Sequence, residues 1–217
     1  MSAFASTTLL DQLELADALL VRRPRVSQPQ DLPGRYGRVV KAVDHLLAAL
    51  RCESVVGGGW AVWHHGYVGR VTQDLDIVIP AVRIDELLHA AAVSGFEILP
   101  RQSGRWPKMR HRDTDIQVDI FPEGATPGTA SKAAPTTIPH PGTLGAERRA
   151  LRYIPLPSLI ELKLAAGRAR GESDVVELVR ANREQVDAIR RHLATVHADY
   201  VRAIDQLVQR AREQGDD

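Results

Sequence analysis

The sequence predicts a mixed α/β (α+β) core followed by a helical C-terminal part, on three observations. Short apolar runs of strand length recur near 75–79, 96–99, 106–111 and 116–121. Between and before them lie segments with helical apolar spacing, such as Tyr36, Val39, Val40, Val43, Leu46, Leu47 and Leu50. From Arg183 to about Arg212, strand-like runs stop, and Val186, Ile189, Leu193, Val196, Tyr200, Ile204, Leu207 and Val208 keep one helical stripe.

Taken in order, the apolar residues from Leu9 to Val21 predict an N-terminal helix, and a Pro-rich connector runs from Arg22 to Gly34. An amphipathic helix at 36–50 leads into the short apolar run Val55–Val56, a Gly57-Gly58-Gly59 turn and a helix over WAVWHHG. The run at 75–79 is followed by a helix at Ile84–Val93 that stops at Gly95, then by three strands. Residues Pro122–Gly145, rich in Ala, Pro, Gly and Thr, have no apolar period and read as one long loop. Leu151–Pro155 adds a strand, and Pro157 and Ser158 suit the first turn of a helix carrying Lys163. A turn then leads to a helix at Glu172–Arg180, and one long helix closes the chain. The predicted organisation is an N-terminal helix and linker (1–34), a core (35–156) and a helical C-terminal region (157–217).

Composition narrows the class. With 217 residues, 44% of them hydrophobic, the chain can bury one large core or a core with a helical annex. Its single cysteine, Cys52, excludes an internal disulfide, and no apolar stretch reaches the roughly 18 residues a membrane span needs. The first 20 residues carry acids and no basic n-region, unlike a secretory signal, so a cytoplasmic protein is expected.

The chemistry concentrates in VGGGWAVWHHGYVGRVTQDLDIVIP, residues 56–80. Residues at i and i+2 of a strand point to one face, so Asp74 and Asp76 project side by side. Among Leu75, Ile77, Val78 and Ile79, two carboxylates are costly unless a cation or hydrogen bonds compensate them. Asp119 has the same apolar setting in DIQVDIFP, and in a neighbouring strand it would lie about 5 Å away. Three carboxylates suit magnesium or manganese better than zinc. The glycines permit close backbone approach, and a helix N-terminus presents N–H groups to anions, which suits a triphosphate. The segment matches neither the dinucleotide-binding glycine fingerprint nor the phosphate loop.

This order of elements, a glycine pair, then Arg70-x-Thr72-x-Asp74-x-Asp76, then Asp119, resembles the nucleotidyltransferase superfamily related to DNA polymerase β. A second segment, ELKLAAGRARGESDVVEL, carries Lys163, Arg168, Arg170 and Asp174 and resembles the AbiEii-like branch, which includes the MenT-type toxins of toxin–antitoxin pairs. The chain departs from that branch at Ser173, where a basic residue often precedes the aspartate, and at Glu177, where a second aspartate is common. The resemblance covers about residues 36–180. It implies a nucleotidyltransferase-like mixed sheet flanked by helices, with NTP as substrate and Mg2+ or Mn2+ held by Asp74, Asp76 and Asp119. It also implies nucleotide contacts by Gly58, Gly59, Arg70, Thr72 and Lys163, support from Asp174, tRNA as acceptor and a cognate antitoxin as partner.

The residues themselves add an acceptor signal. Arg101, Arg105, Lys108, Arg110 and Arg112 occur with no acid among them and with Trp106 and His111 interleaved, a pattern that can track a polyanion and offer a ring for stacking. Arg105, Lys108, Arg110 and Arg112 are therefore candidate nucleic-acid contacts, against the alternative of a solvated strand-and-loop face. Lys163, among Leu162, Leu164 and Ala165, needs an anionic partner unless it snorkels to the surface. Asp174 can orient it or complement a helix dipole, while Trp60, Trp63, His64 and His65 read as packing and helix-end residues. Three functions follow: NMP transfer to the 3′ end of tRNA, NMP transfer to a hydroxylated aminoglycoside or lincosamide antibiotic, and a catalytically silent binding module. Three carboxylates in apolar strands argue against the last.

Overall fold

The computed structural model describes residues 28–68, 72–101, 104–129, 132–147 and 150–214. The expected N-terminal helix at 9–21 lies outside them. Within them the chain forms a six-stranded mixed sheet and seven α-helices, the α/β class expected. The strands are β1 (Val55–Val56), β2 (Leu75–Ile79), β3 (Phe96–Ile98), β4 (Lys108–His111), β5 (Ile116–Pro122) and β8 (Arg152–Tyr153), in the order β3-β4-β5-β2-β1-β8. Strand β2 runs parallel to β5 and antiparallel to β1, and β8 joins β1 in parallel at the far edge.

Alternation along β2 decides what each face carries. Leu75, Ile77 and Ile79 point to one face and pack with Val118, Ile120, Met109 and Phe96 beneath helix α1 (Gly34–Ala49) and helix α3 (Ile84–Val93). Tyr36, Val39, Val40, Val43, Leu46 and Leu47 of α1 are buried there, as their spacing predicts. The other face turns Val78 and Phe121 toward a second core, built on α4 (Leu156–Ala166), α5 (Ala169–Ala181), α6 (Val186–Val196) and α7 (Ala198–Glu213). Helix α2 (Gly58–His64) lies between the two cores, giving Trp60 and Trp63 to the first and Ala61 and Val62 to the second.

Two expectations are corrected. The single long C-terminal helix is two helices, because His197 adopts an extended conformation (φ −159°, ψ 139°) and its ring Nδ1 accepts the Asp199 N–H as an N-cap. The chain folds back there, so that Arg190 Nε of α6 meets Asp205 Oδ1 of α7 at 2.7 Å. The segment Pro122–Gly145 is not one unstructured loop. It holds a small hairpin of β6 (Gly128–Thr129) and β7 (Lys132–Ala133) and a 3-10 turn at Pro141–Leu144, and it buries Ile138 and Leu144 in the second core. Two apolar residues suffice to anchor it, although they are too few to show a period.

Candidate active site

The carboxylates meet on the second sheet face, the one that carries Val78 and Phe121. Asp76 of β2 stands directly opposite Asp119 of β5 in the parallel register. Asp74 sits one residue before β2 and on the same side. One ligand oxygen from each of Asp74, Asp76 and Asp119 lies within 4.8 Å of the others, and among the described residues no other group of three ligating side chains is so placed. All three side chains are half-buried. An oxygen-only set so close together matches the donor chemistry of magnesium or manganese, so these residues fit the implied ion.

The glycine turn closes over this cluster. Gly57 N–H donates to the Asp76 carbonyl at 2.9 Å, tying the turn to β2. A β-carbon on Gly58, whose φ is +57°, would fall 1.5 Å from Asp76 Oδ2, and one on Gly59 would fall 2.2 Å from Thr72 Oγ1. Only glycine fits at either position, as expected of a turn built for close approach. Thr72, 3% exposed, reaches Asp74 Oδ1 at 3.5 Å through its hydroxyl. Thr72 therefore shapes the cluster from inside, while Arg70 lies outside the described residues.

Asp119 has two partners that motif reading did not assign to it. Lys108 Nζ donates to Asp119 Oδ2 at 2.6 Å, and Gln117 Nε2 donates to Asp119 Oδ1 at 2.6 Å. The antiparallel register of β4 on β5 sets Lys108 opposite Asp119 and Arg110 opposite Gln117. Alternation could have found Gln117, two residues before Asp119 and hence on its face. It could not have found Lys108, whose place depends on the register between strands.

The basic stretch divides accordingly. Lys108 belongs to the carboxylate cluster, and Arg110 shares its face and reaches Asp115 at 3.6 Å. Arg101, Arg105 and Arg112 are exposed. Trp106 packs edge-on against Phe121 with ring centroids 4.6 Å apart. His111 points to the opposite face, where it is buried beside Phe96 and bonds Thr114, so that it cannot meet a polyanion on the carboxylate face.

The second motif assembles as a buried ion pair. Lys163 Nζ of α4 donates to Asp174 Oδ2 of α5 at 2.7 Å, with the two side chains 10% and 5% exposed. Helix α5 begins at Ala169, earlier than expected, so Asp174 lies in its second turn and faces Lys163 instead of complementing the helix N-terminus. The anionic partner expected for Lys163 is thus present. A similar pair links Glu161 of α4, 4% exposed, to His192 Nε2 of α6 at 2.6 Å.

Trp60 and Trp63 are packing residues, and the histidines end their helix. His64 stacks on Tyr153, and His65 Nε2 bonds the Ile154 carbonyl at 2.8 Å. Burial pushes the His65 imidazole down to about 4, against the opposing pull of that carbonyl, while the neighbouring His64 lowers it further. Burial also raises the Tyr153 phenol above its usual value, with Asp31 adding to it.

No known protein-family model matches the chain, and no curated protein matches it. Among solved structures, the chain is similar to ANT(2″)-Ia in complex with adenylyl-2″-tobramycin, 16% identical over 82% of this chain and 97% of that one, with a TM-score of 0.44. It is also similar to the solution structure of the antibiotic-resistance factor ANT(2″)-Ia, 15% identical over 82% and 91% of the two chains, again with a TM-score of 0.44.

Proposed function

We propose that the chain is a divalent-metal-dependent nucleotidyltransferase that moves an NMP group from an NTP to an acceptor hydroxyl, with the 3′ end of tRNA as acceptor. The observation that carries the reading is the oxygen-only triad of Asp74, Asp76 and Asp119 on adjacent strands, roofed by a turn where only glycine fits.

A magnesium or manganese ion held by those three aspartates would neutralise the triphosphate and make its α-phosphorus a better electrophile. The chain's own residues do the remaining work. Gly58 and Gly59 let the turn pack directly on Asp76 and Thr72, and in this reading its backbone amides meet the phosphates beside the carboxylates. Asp119, whose two oxygens accept hydrogen bonds from Lys108 and Gln117, is the group that receives the acceptor's hydroxyl proton in this reading. The hydroxyl oxygen forms a bond to the α-phosphorus, the bond to the β-phosphate oxygen breaks, and pyrophosphate leaves. Lys163, aimed by Asp174, is the cation offered to that departing charge, and Arg70 and Thr72 are further phosphate contacts in this reading.

For the acceptor, Lys108 and Arg110 stand on the same sheet face as the carboxylates, and Arg105 and Arg112 flank their strand. Lys108 and Arg110 are already paired with Asp119 and Asp115, so in this reading the exposed Arg105 and Arg112 are the charges offered to a phosphate backbone. The test incubates the purified protein with magnesium and each α-labelled NTP, offering total tRNA in one series and aminoglycosides and lincosamides in another, with Asp76→Ala as control. Label on tRNA with the wild-type protein alone supports the proposal. Label on an antibiotic instead moves the acceptor to that class, and no label with any NTP contradicts transferase activity. Resemblance to the MenT-type toxins adds a cellular reading, a toxin with a cognate antitoxin: wild-type expression should slow growth and Asp76→Ala should relieve it, whereas equal growth with both forms counts against it.

A further inference from the structure

The helical C-terminal part contains a cavity that shares no residue with the carboxylate cluster. It measures about 300 Å³ and lies where the end of α5, the following turn, the start of α6 and the last turns of α7 converge. Its apolar lining is Val179, Val186, Val208 and Ala211, and its charged lining is four arginines, Arg180, Arg183, Arg190 and Arg212, with Asp187 as the single acid. That volume is at the lower end of the range for small-molecule sites, and an apolar lining with a few convergent polar groups is their usual makeup.

The ion pairs show how much of this charge is already balanced. Arg180 Nη1 is held by Glu177 at 3.1 Å, and Arg190 is held by Asp205 at 2.7 Å and by Asp187 at 3.7 Å. Arg183 and Arg212 have no ion pair among the described residues, and both are exposed at the mouth. Two guanidiniums from different helical segments thus line one cavity with no ion pair of their own among the described residues. A phosphate monoester, with about −1.5 to −2 charge at pH 7, matches both the charge and the fork geometry of these two arginines.

We propose that this cavity binds a small phosphate monoester with an apolar body, its phosphate on Arg183 and Arg212 and its body against Val179, Val186, Val208 and Ala211. The site is separate from the proposed transferase chemistry and stands or falls without it.

The test uses phenyl phosphate as the probe, with inorganic phosphate and benzyl alcohol as partial probes, titrated calorimetrically into the full-length protein. Phenyl phosphate should bind with a Kd of about millimolar or below, more tightly than either partial probe. Arg183→Gln/Arg212→Gln should weaken it at least about tenfold, the loss expected when charge-assisted hydrogen bonds are removed. Both positions are exposed, so the double variant should keep the wild-type circular dichroism and melting curve, and Asp76→Ala should keep the wild-type affinity for the probe. Equal affinity for inorganic phosphate, an unchanged Kd in the double variant, no binding of phenyl phosphate, or binding of an oligoribonucleotide only would each overturn the proposal.

Discussion

Gly58 and Asp76 are packed so closely that no side chain can be added between them: a β-carbon on Gly58 would reach within 1.5 Å of Asp76 Oδ2. The same glycine has φ +57°, which a β-carbon makes costly. Gly58→Ala should therefore displace Asp76, destabilise the fold by about 2–5 kcal/mol and abolish divalent-ion binding at the triad. Gly57→Ala is the control, since its β-carbon would meet nothing within 4 Å. Urea unfolding and manganese titration of the two variants check this. Similar behaviour of both would mean that the close approach has no consequence.

Lys108 is a tethered cation at the edge of a site suited to free ones, its Nζ 2.6 Å from Asp119 Oδ2. A divalent ion at the triad must share Asp119 with it. Lys108→Met, which removes the competing charge, should lower the manganese Kd several-fold in the absence of nucleotide while Gln117 still holds the other oxygen. An unchanged Kd would show that Lys108 and the ion use Asp119 independently.

Lys163 and Asp174 are nearly fully buried, so removing one partner leaves the other charge stranded. Lys163→Met should cost about 3–5 kcal/mol in urea unfolding. The double variant Lys163→Met/Asp174→Leu should recover most of that stability, since well-packed apolar residues often replace a buried pair at little cost. Nucleotidyl transfer should stay lost in the double variant, because the proposed phosphate contact is gone. Recovery of transfer together with stability would make the pair structural only.

His65 gives the fold a pH dependence whose direction is fixed by its burial. Its folded value, about 4, lies below the unfolded value of 6.5, so between those limits the unfolded chain binds more protons. Its contribution is complete above about pH 6.5 and is lost as the pH falls toward 4, by on the order of 3 kcal/mol. Urea midpoints at pH 7 and pH 5 should differ in the wild type and draw together in His65→Gln. Equal pH dependence in both proteins would assign the effect to other groups.

Much of this architecture was legible from local sequence. Helix α3 has the predicted bounds because its apolar spacing ends at Gly95, and β2 and β5 follow from uninterrupted apolar runs around Asp76 and Asp119. The three aspartates were legible for the same reason, since a carboxylate in an apolar strand has few inexpensive explanations. Lys108 and Gln117 were not assigned to Asp119, because strand register is a property of the pair of strands. The break at His197 was hidden because Leu193, Val196 and Tyr200 keep helical spacing across it, while the cap that ends one helix is a single imidazole. In a helix starting at Glu172, Asp174 could either complement the dipole or orient Lys163; the start at Ala169 places it in the second turn, facing Lys163.

The central claim is that Asp74, Asp76 and Asp119 together hold a divalent ion with a nucleotide. Its most direct test is manganese binding followed by electron paramagnetic resonance, with and without a non-hydrolysable NTP analogue, in the wild type and in Asp76→Asn and Asp119→Asn. The account predicts bound manganese in the wild type, tightened by the analogue, and loss of that signal in each variant. Manganese bound equally by all three proteins, or by none of them in the presence of the analogue, would contradict it.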